Sequence, residues 1–281
     1  MAARKAELRF ADELLMFLPP RHRAGQVRII CDGTSTLGHV IESLGVPLPE
    51  VGPVTVDGAP AAPGYRLRGG QACTVEAVRR PQRVPHPRFV LDVHLGTLAR
   101  RLRLLGVDTA YANDRDDDDL IEQANAEGRV LLTKDRGLLC RRKLSTGAYV
   151  RGTRTDDQLR DVLDRFAPPI APWTRCPACN GPLHAAARDE VEHLLLPGTR
   201  RTYHEFARCA DCGRAYWRGA HSVRLEAIVR SAAAIVGARR PSSRRAGPAD
   251  VPPPTSGTRP PRYAAWGISA ARRSSGRGRR P

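Results

Sequence analysis

Four cysteines stand as two C-x-x-C pairs, Cys176-Pro-Ala-Cys179 and Cys209-Ala-Asp-Cys212. Two such pairs supply four thiolates, which close a tetrahedral Zn²⁺ shell and leave no position for substrate, so the expected site is structural. Redox chemistry of the C-x-x-C kind needs one pair, not two. Gly181 and Gly213 stand just after the pairs, where each knuckle must turn tightly. The wide gap between the pairs leaves a hairpin insertion over 183–205. His193, His204 and His221 could also reach a metal, but four Cys already suffice. Cys31, Cys73 and Cys140 read as small core residues.

The second chemistry-bearing set is acidic. Asp92 directly follows the apolar run Phe89-Val90-Leu91, and Asp135 lies just past Val130-Leu131-Leu132-Thr133. Asp116–Asp119 follow Val107–Ala112, and Asp156 and Asp157 follow Ala148-Tyr149-Val150. Each group also has a plainer reading. Asp116–Asp119 and Asp156/Asp157 can cap helices, and Asp92 can cap a helix beginning near Leu95. Asp135 has no capping duty legible in the sequence. Carboxylates brought together repel and raise one another's pKa unless a cation is present. Mg²⁺ or Mn²⁺ resolves that conflict, since hard cations take oxygen ligands. Such ions promote attack of water on a phosphodiester, which is nuclease chemistry. Lys134 and Arg136 flank Asp135 and either hold phosphate or are solvated.

The elements that would position these acids alternate. Over 88–167 the strands Arg88–Leu91, Val107–Ala112, Val130–Thr133 and Ala148–Val150 are separated by helices. These run from near Leu95 to Gly106, from Asp116 or Asp117 to Gly128, and from Gly137; a last one ends at Phe166. This order predicts an α/β domain whose parallel sheet carries helices on both faces. Active sites of such sheets lie at the carboxyl edge, where these acids fall. Residues 1–80 read differently. Strands at Ala6–Phe10 and Val27–Ile30, a helix from Thr34–Thr36 to Leu44, Val54–Val56 with an Asp57-Gly58 turn, and Cys73–Val78 resemble a ubiquitin-like β-grasp (α+β) domain of the sulfur-carrier type. Carriers end in a free Gly-Gly, whereas Gly69-Gly70 is internal here and the last strand runs into Val78-Arg79-Arg80. A docking role with a protein partner, or a structural one, is therefore expected. Residues 81–87 form a Pro-rich linker.

Three further stretches tie these features to one family. The run Phe89–Thr109 (FVLDVHLGTLARRLRLLGVDT), the acids Asp116–Asp119 with Leu120-Ile121, and Gly128-Arg-Val-Leu-Leu-Thr-Lys-Asp-Arg136 resemble the Mut-seven C-terminal RNase family. The resemblance extends over about 88–220, because that family carries a zinc ribbon at its end, here 168–236, and occurs with a β-grasp domain in front. It implies a PIN-like fold and a metal-dependent ribonuclease. Asp92, an acid among Asp116–Asp119, and Asp135 stand at the family's acidic positions. Where many members have an acid or polar residue soon after the first Asp, this chain has Val93-His94. The reading is an RNase whose Mg²⁺ or Mn²⁺ is held by Asp92, Asp117 or Asp118, Asp135 and Asp157. Its alternatives are a non-catalytic RNA-binding adaptor and, from the front domain alone, a sulfur-transfer accessory.

The chain has 281 residues and a net charge of +17, yet residues 237–281 contain eleven Arg against one acid, Asp250. Basicity is thus mostly a property of this Arg-, Pro- and Ser-rich tail. The tail lacks periodicity and reads as disordered; it either adds salt-sensitive affinity for RNA phosphates or serves as a solubilising extension. Tyr216-Trp217-Arg218 offers an aromatic beside a base, so Trp217 either stacks an RNA base with Arg218 on phosphate or closes the ribbon's core. No run of 18 apolar residues occurs, which excludes a membrane-spanning helix. The absence of a signal peptide predicts a cytoplasmic protein.

Overall fold

A computed structural model describes residues 5–219, 222–239 and 268–270. The chain forms two compact units, Met1–Leu98 with Ala110–Phe166, and Ala99–Thr109 with Ala167–Pro281.

The first unit begins with the strand-rich domain expected over 1–80. Strands β1 (Lys5–Phe10), β2 (Gln26–Ile30), β3 (Val51–Val56), β4 (Ala59–Pro60) and β5 (Ala72–Ala77) form a sheet of order β2-β1-β5-β3-β4. The central pair β1–β5 is parallel, and the other pairs are antiparallel. Helix α1 (Leu37–Ser43) is capped by the Thr36 side chain, which accepts from His39 N–H. It ends at Gly45, whose φ of 92° suits a residue without a Cβ. Leu8, Phe10, Leu14, Phe17, Ile41 and Val75 lie in one core.

Behind it comes the alternating domain. Strands β6 (Phe89–Leu91), β7 (Thr109–Ala110), β8 (Val130–Thr133) and β9 (Gly147–Tyr149) are ordered β7-β6-β8-β9. The β6–β8 and β8–β9 pairs are parallel. Every residue of β6 and β8 is buried, as a sheet covered on both faces requires. Helices α2 (Gly96–Leu104), α3 (Asp117–Ala126), α4 (Arg136–Leu139) and α5 (Thr155–Phe166) fall between and after these strands. Helix α3 sets Leu120, Ile121 and Ala124 against Val90, Leu131 and Leu138.

The two domains anticipated on either side of a linker share one compact unit. Strand β9 is an edge strand, and the Leu48–Glu50 turn of the front domain meets it. Glu50 is fully buried. Its Oε1 accepts from the Tyr149 N–H at 2.8 Å, blunting the open strand edge. The same oxygen accepts from Arg165 of α5, itself 1% exposed, which also donates to Pro49 O and Gln82 Oε1. The Phe17 ring stands edge-on to Tyr149 at 5.1 Å. The chain entering the linker is held as well: Arg80, the residue before it, bonds both Asp161 and Asp164 of α5. The sequence hid all of this, because a buried Glu–Arg pair formed between distant segments leaves no local pattern.

The second unit carries the ribbon. Strands β10 (Leu183–Ala186), β11 (Phe206–Cys209), β12 (Ala215–Arg218) and β13 (Ile268–Ala270) form an antiparallel meander. Helices α6 (Arg188–Val191) and α7 (Pro197–Thr202) occupy the predicted insertion, and α8 spans Ser222–Arg239. The tail expected to lack structure from residue 237 therefore contributes the end of α8 and β13; its remaining residues lie outside those described. Among the described residues no helix is long and apolar enough to cross a membrane.

Removing one partner of a buried ion pair strands the other charge, typically at a loss of about 3–5 kcal/mol. Glu50→Ala is expected to lower stability by about that much and to loosen the front domain and the parallel sheet together. Urea unfolding followed by near- and far-UV circular dichroism measures it. A change below about 1 kcal/mol would count against the docked arrangement.

Candidate active site and metal centre

The acid site is built at the carboxyl ends of β6 and β8. These strands are adjacent and parallel, with Leu91 opposite Leu132, so the residues that follow them are brought together. Asp92 is 6% exposed. Its Oδ1 accepts from His94 N–H at 3.1 Å, and its Oδ2 accepts from the Thr133 hydroxyl at 2.6 Å. The Thr133 oxygen in turn accepts the Asp135 N–H at 2.8 Å. Asp135 is exposed, and its Oδ1 accepts from Gly137 N–H and Leu138 N–H. One fully buried hydroxyl thus joins the two carboxylate residues. Sequence reading passed over Thr133. The signal was available: a polar residue closing an otherwise apolar, doubly covered strand must find a partner.

Both acids also cap. Asp92 caps the Val93–Leu95 turn, the alternative anticipated for it, and Asp135 caps α4, a role not legible beforehand because α4 is a single turn. The flanking bases turn elsewhere. Lys134 Nζ donates to Gly152 O at 3.0 Å. Arg136 donates to Met16 O and Phe17 O, with its guanidinium 5.1 Å from the Phe17 ring centre. Among the described residues, no Lys, Arg or His side chain pairs with the buried Asp92 carboxylate, whose bonds come from one backbone N–H and one hydroxyl.

The other predicted acids spread out. Asp116 caps α3 by accepting from Asp119 N–H at 2.9 Å, and Asp117, Asp118 and Asp119 occupy the exposed first turn. Asp118 pairs with Arg141 at 2.6 Å on the surface. Asp157 lies exposed in the first turn of α5. Convergence of acids from four loops is not what the structure has. Among the described residues, the only group of three or more His, Cys, Asp or Glu ligand atoms within 4.8 Å of one another is the cysteine quartet. Mutual repulsion and the pull of helix N-termini on Asp92, Asp116 and Asp135 account for the spread.

The quartet is Cys176, Cys179, Cys209 and Cys212. The Sγ atoms of Cys176 and Cys212 are 3.7 Å apart, and those of Cys179 and Cys209 3.4 Å. A tetrahedral Zn–S₄ shell with bonds of about 2.3 Å places sulfurs about 3.8 Å apart, so the soft donor set fits zinc. Tyr216 Oη lies 2.9 Å from Cys176 Sγ. Burial opposes ionisation of the Cys176 thiol, but hydrogen bonds from Tyr216 and nearby backbone outweigh it and hold its pKa below the ordinary value. Gly213 supplies the turn after its knuckle, with φ at 68°. After the first knuckle Asn180 takes the left-handed turn, with φ at 76°. Gly181 is needed for space, since a Cβ there would stand 2.3 Å from Asp211 Oδ2. Arg103, 3% exposed, donates to Thr109 O and to the knuckle carbonyls of Pro177 and Ala178, while Asn180 accepts from Thr109 N–H. This explains why 99–109 belong with the ribbon.

Strand β12 alternates. Ala215 and Trp217 face Val191, Leu195 and Phe206, while Tyr216 faces the cysteines. Trp217 is 8% exposed, so it closes the ribbon's core and offers no face to a base. The Arg218 side chain and His221 lie outside the described residues. His193 and His204 are exposed and take no part in the quartet.

Residues 87–229, just over half of the chain, match the Mut7-C RNAse domain. The chain belongs to the Mut7-C RNAse domain family. Residues 3–83 match the Mut7-C ubiquitin domain, so the strand-rich front domain is ubiquitin-like. Neither a curated protein nor a solved structure is significantly similar to the chain. The Mut7-C match takes in the parallel sheet, both acids of the Thr133 bridge and all four cysteines.

The protein should purify with about one zinc per chain. Cys209→Ser should lose it and unfold the ribbon, because structural zinc contributes roughly 10–16 kcal/mol at neutral pH in small modules. Elemental analysis of reduced, freshly isolated protein checks this. A zinc-free ribbon with unchanged near-UV circular dichroism would contradict it.

Proposed function

We propose that this protein is a metal-dependent ribonuclease that hydrolyses RNA phosphodiester bonds at the Asp92–Thr133–Asp135 edge. The observation that carries the reading is the buried Asp92 carboxylate without a cationic side chain, joined through Thr133 to a second carboxylate residue. Burying an unpaired charge is expensive, and a divalent cation offsets it. The donors suit a hard ion, and Mg²⁺ is commonly held by one or two carboxylates, with waters and substrate phosphate completing its shell. Asp92 and Asp135 would hold Mg²⁺ or Mn²⁺, while Asp117, Asp118 and Asp157, in the first turns of α3 and α5, are not gathered with them. Bound there, the ion supplies Lewis acidity at the phosphodiester and a lowered pKa for the attacking water.

The chain's own residues do the positioning. Thr133 fixes the Asp92 carboxylate through its hydroxyl and the Asp135 backbone through its oxygen. The His94 N–H holds the other Asp92 oxygen. Lys134 lies on the same edge and would exchange its bond to Gly152 O for an RNA phosphate. The ribbon and the Arg-rich tail would add phosphate contacts, a term that weakens steeply with salt.

Labelled single-stranded and structured RNAs incubated with EDTA, Mg²⁺ or Mn²⁺ test the activity. Asp92→Asn and Asp135→Asn should each lower cleavage by more than about 100-fold, since even outer-shell partners of a metal cost about 10–100-fold. RNA bound but never cut, under any of these ions, would make the protein an adaptor instead. Thr133→Val keeps shape but breaks the bridge, and should lower activity or metal affinity about 10–100-fold. Wild-type cleavage by Thr133→Val would remove the bridge from the account.

A further inference from the structure

We propose that Arg136 is a positioning residue through which the ubiquitin-like domain holds Asp135 at the nuclease edge, an inference that rests on the ribonuclease reading. The front domain is fixed on the parallel sheet by the Glu50–Arg165 pair and by the bond from Tyr149 N–H to Glu50. From that base, the segment 13–17 reaches the loops that leave β8 and β9. Glu13 O accepts from Arg151 at 3.1 Å. Phe17 O and Met16 O accept from the two terminal nitrogens of Arg136 at 2.9 and 2.8 Å.

The acceptor is prepared for this contact. Gly45, at the end of α1, lacks the Cβ that would stand 2.7 Å from Phe17 O. That carbonyl therefore stays open to a guanidinium that also lies over the Phe17 ring. The planar fork of an arginine matches two adjacent carbonyls in a way the point charge of a lysine does not. Arg136 is also the first residue of α4, the turn whose Gly137 and Leu138 N–H groups hold the Asp135 carboxylate. A continuous set of bonds thus runs from the Met16 and Phe17 carbonyls through Arg136 and the α4 turn to Asp135. It continues through Thr133 to Asp92. The guanidinium engaged in this way is not free to grip RNA phosphate, the role its place in the sequence suggested.

The test compares full-length wild type, Arg136→Gln and Arg136→Lys. Arg136 is exposed, so the fold should survive, and melting temperature checks that it does. In zinc-replete protein without Mg²⁺ or Mn²⁺, amide exchange over 133–140 should quicken about tenfold in Arg136→Gln as the turn opens more often. Mn²⁺ affinity and kcat should each fall about 10-fold, at the lower end of outer-shell effects, with KM for RNA unchanged. Arg136→Lys should rescue only partly. Unchanged exchange over 133–140 would overturn the proposal whatever the activity. A raised KM at constant kcat, restored by lysine, would make Arg136 a phosphate ligand and overturn it equally. Quickened exchange together with a wild type that cuts no RNA would support the coupling while removing the ribonuclease reading.

Discussion

A carboxylate taken out of water must find positive charge or give up its own. This chain buries two within one compact unit and treats them in opposite ways. Glu50, fully buried, meets Arg165 directly and has Arg151 at 3.8 Å. Asp92, 6% exposed, receives only a backbone N–H and a hydroxyl among the described residues. The first arrangement carries its own counter-charge and ties the front domain to α5 and β9. The second has hydrogen bonds but no counter-charge from a side chain, and the proposed cation site rests on that difference.

The docked front domain closes one side of the parallel sheet. An edge strand with open N–H and C=O groups invites pairing with other chains. Here a side-chain carboxylate takes the Tyr149 N–H, and an aromatic from the same domain covers the Tyr149 ring. The ubiquitin-like domain therefore does structural work on the sheet, in keeping with the internal Gly69-Gly70 that deprives it of a carrier's free terminus. Within the second unit the buried Arg103 holds the carbonyls of the first knuckle. The match to the Mut7-C RNAse domain runs unbroken from the first strand of the sheet through the ribbon.

Most of the architecture was legible because it rests on local signals. Strand–helix alternation, the Asp57-Gly58 turn and two C-x-x-C pairs each declare themselves within a few residues, and the motifs around Asp92 and Asp135 carried the family. What was not legible depends on distant partners. Glu50 and Arg165 are more than a hundred residues apart, so nothing near either announced the pair. Thr133 looked like the last residue of a strand, and its role appears only once β6 lies beside β8. Trp217 had two readings in sequence, and burial against Phe206 and Val191 decides for the core. The acids were expected to converge, yet several sit at helix N-termini, where backbone N–H groups draw them apart.

Completion of the Asp92 site by a divalent cation would show in melting temperature against Mn²⁺ concentration, in zinc-replete protein without RNA. Ligand at 100 times its Kd stabilises the native state by about 2.7 kcal/mol. For a chain of this size that corresponds to a rise of several degrees, at about 2–4 °C per kcal/mol. The wild type should show that rise and Asp92→Asn should lose it, with a melting temperature in the absence of Mn²⁺ that equals or exceeds the wild type's. A wild type indifferent to Mn²⁺, or an Asp92→Asn variant stabilised as much as the wild type, would contradict it.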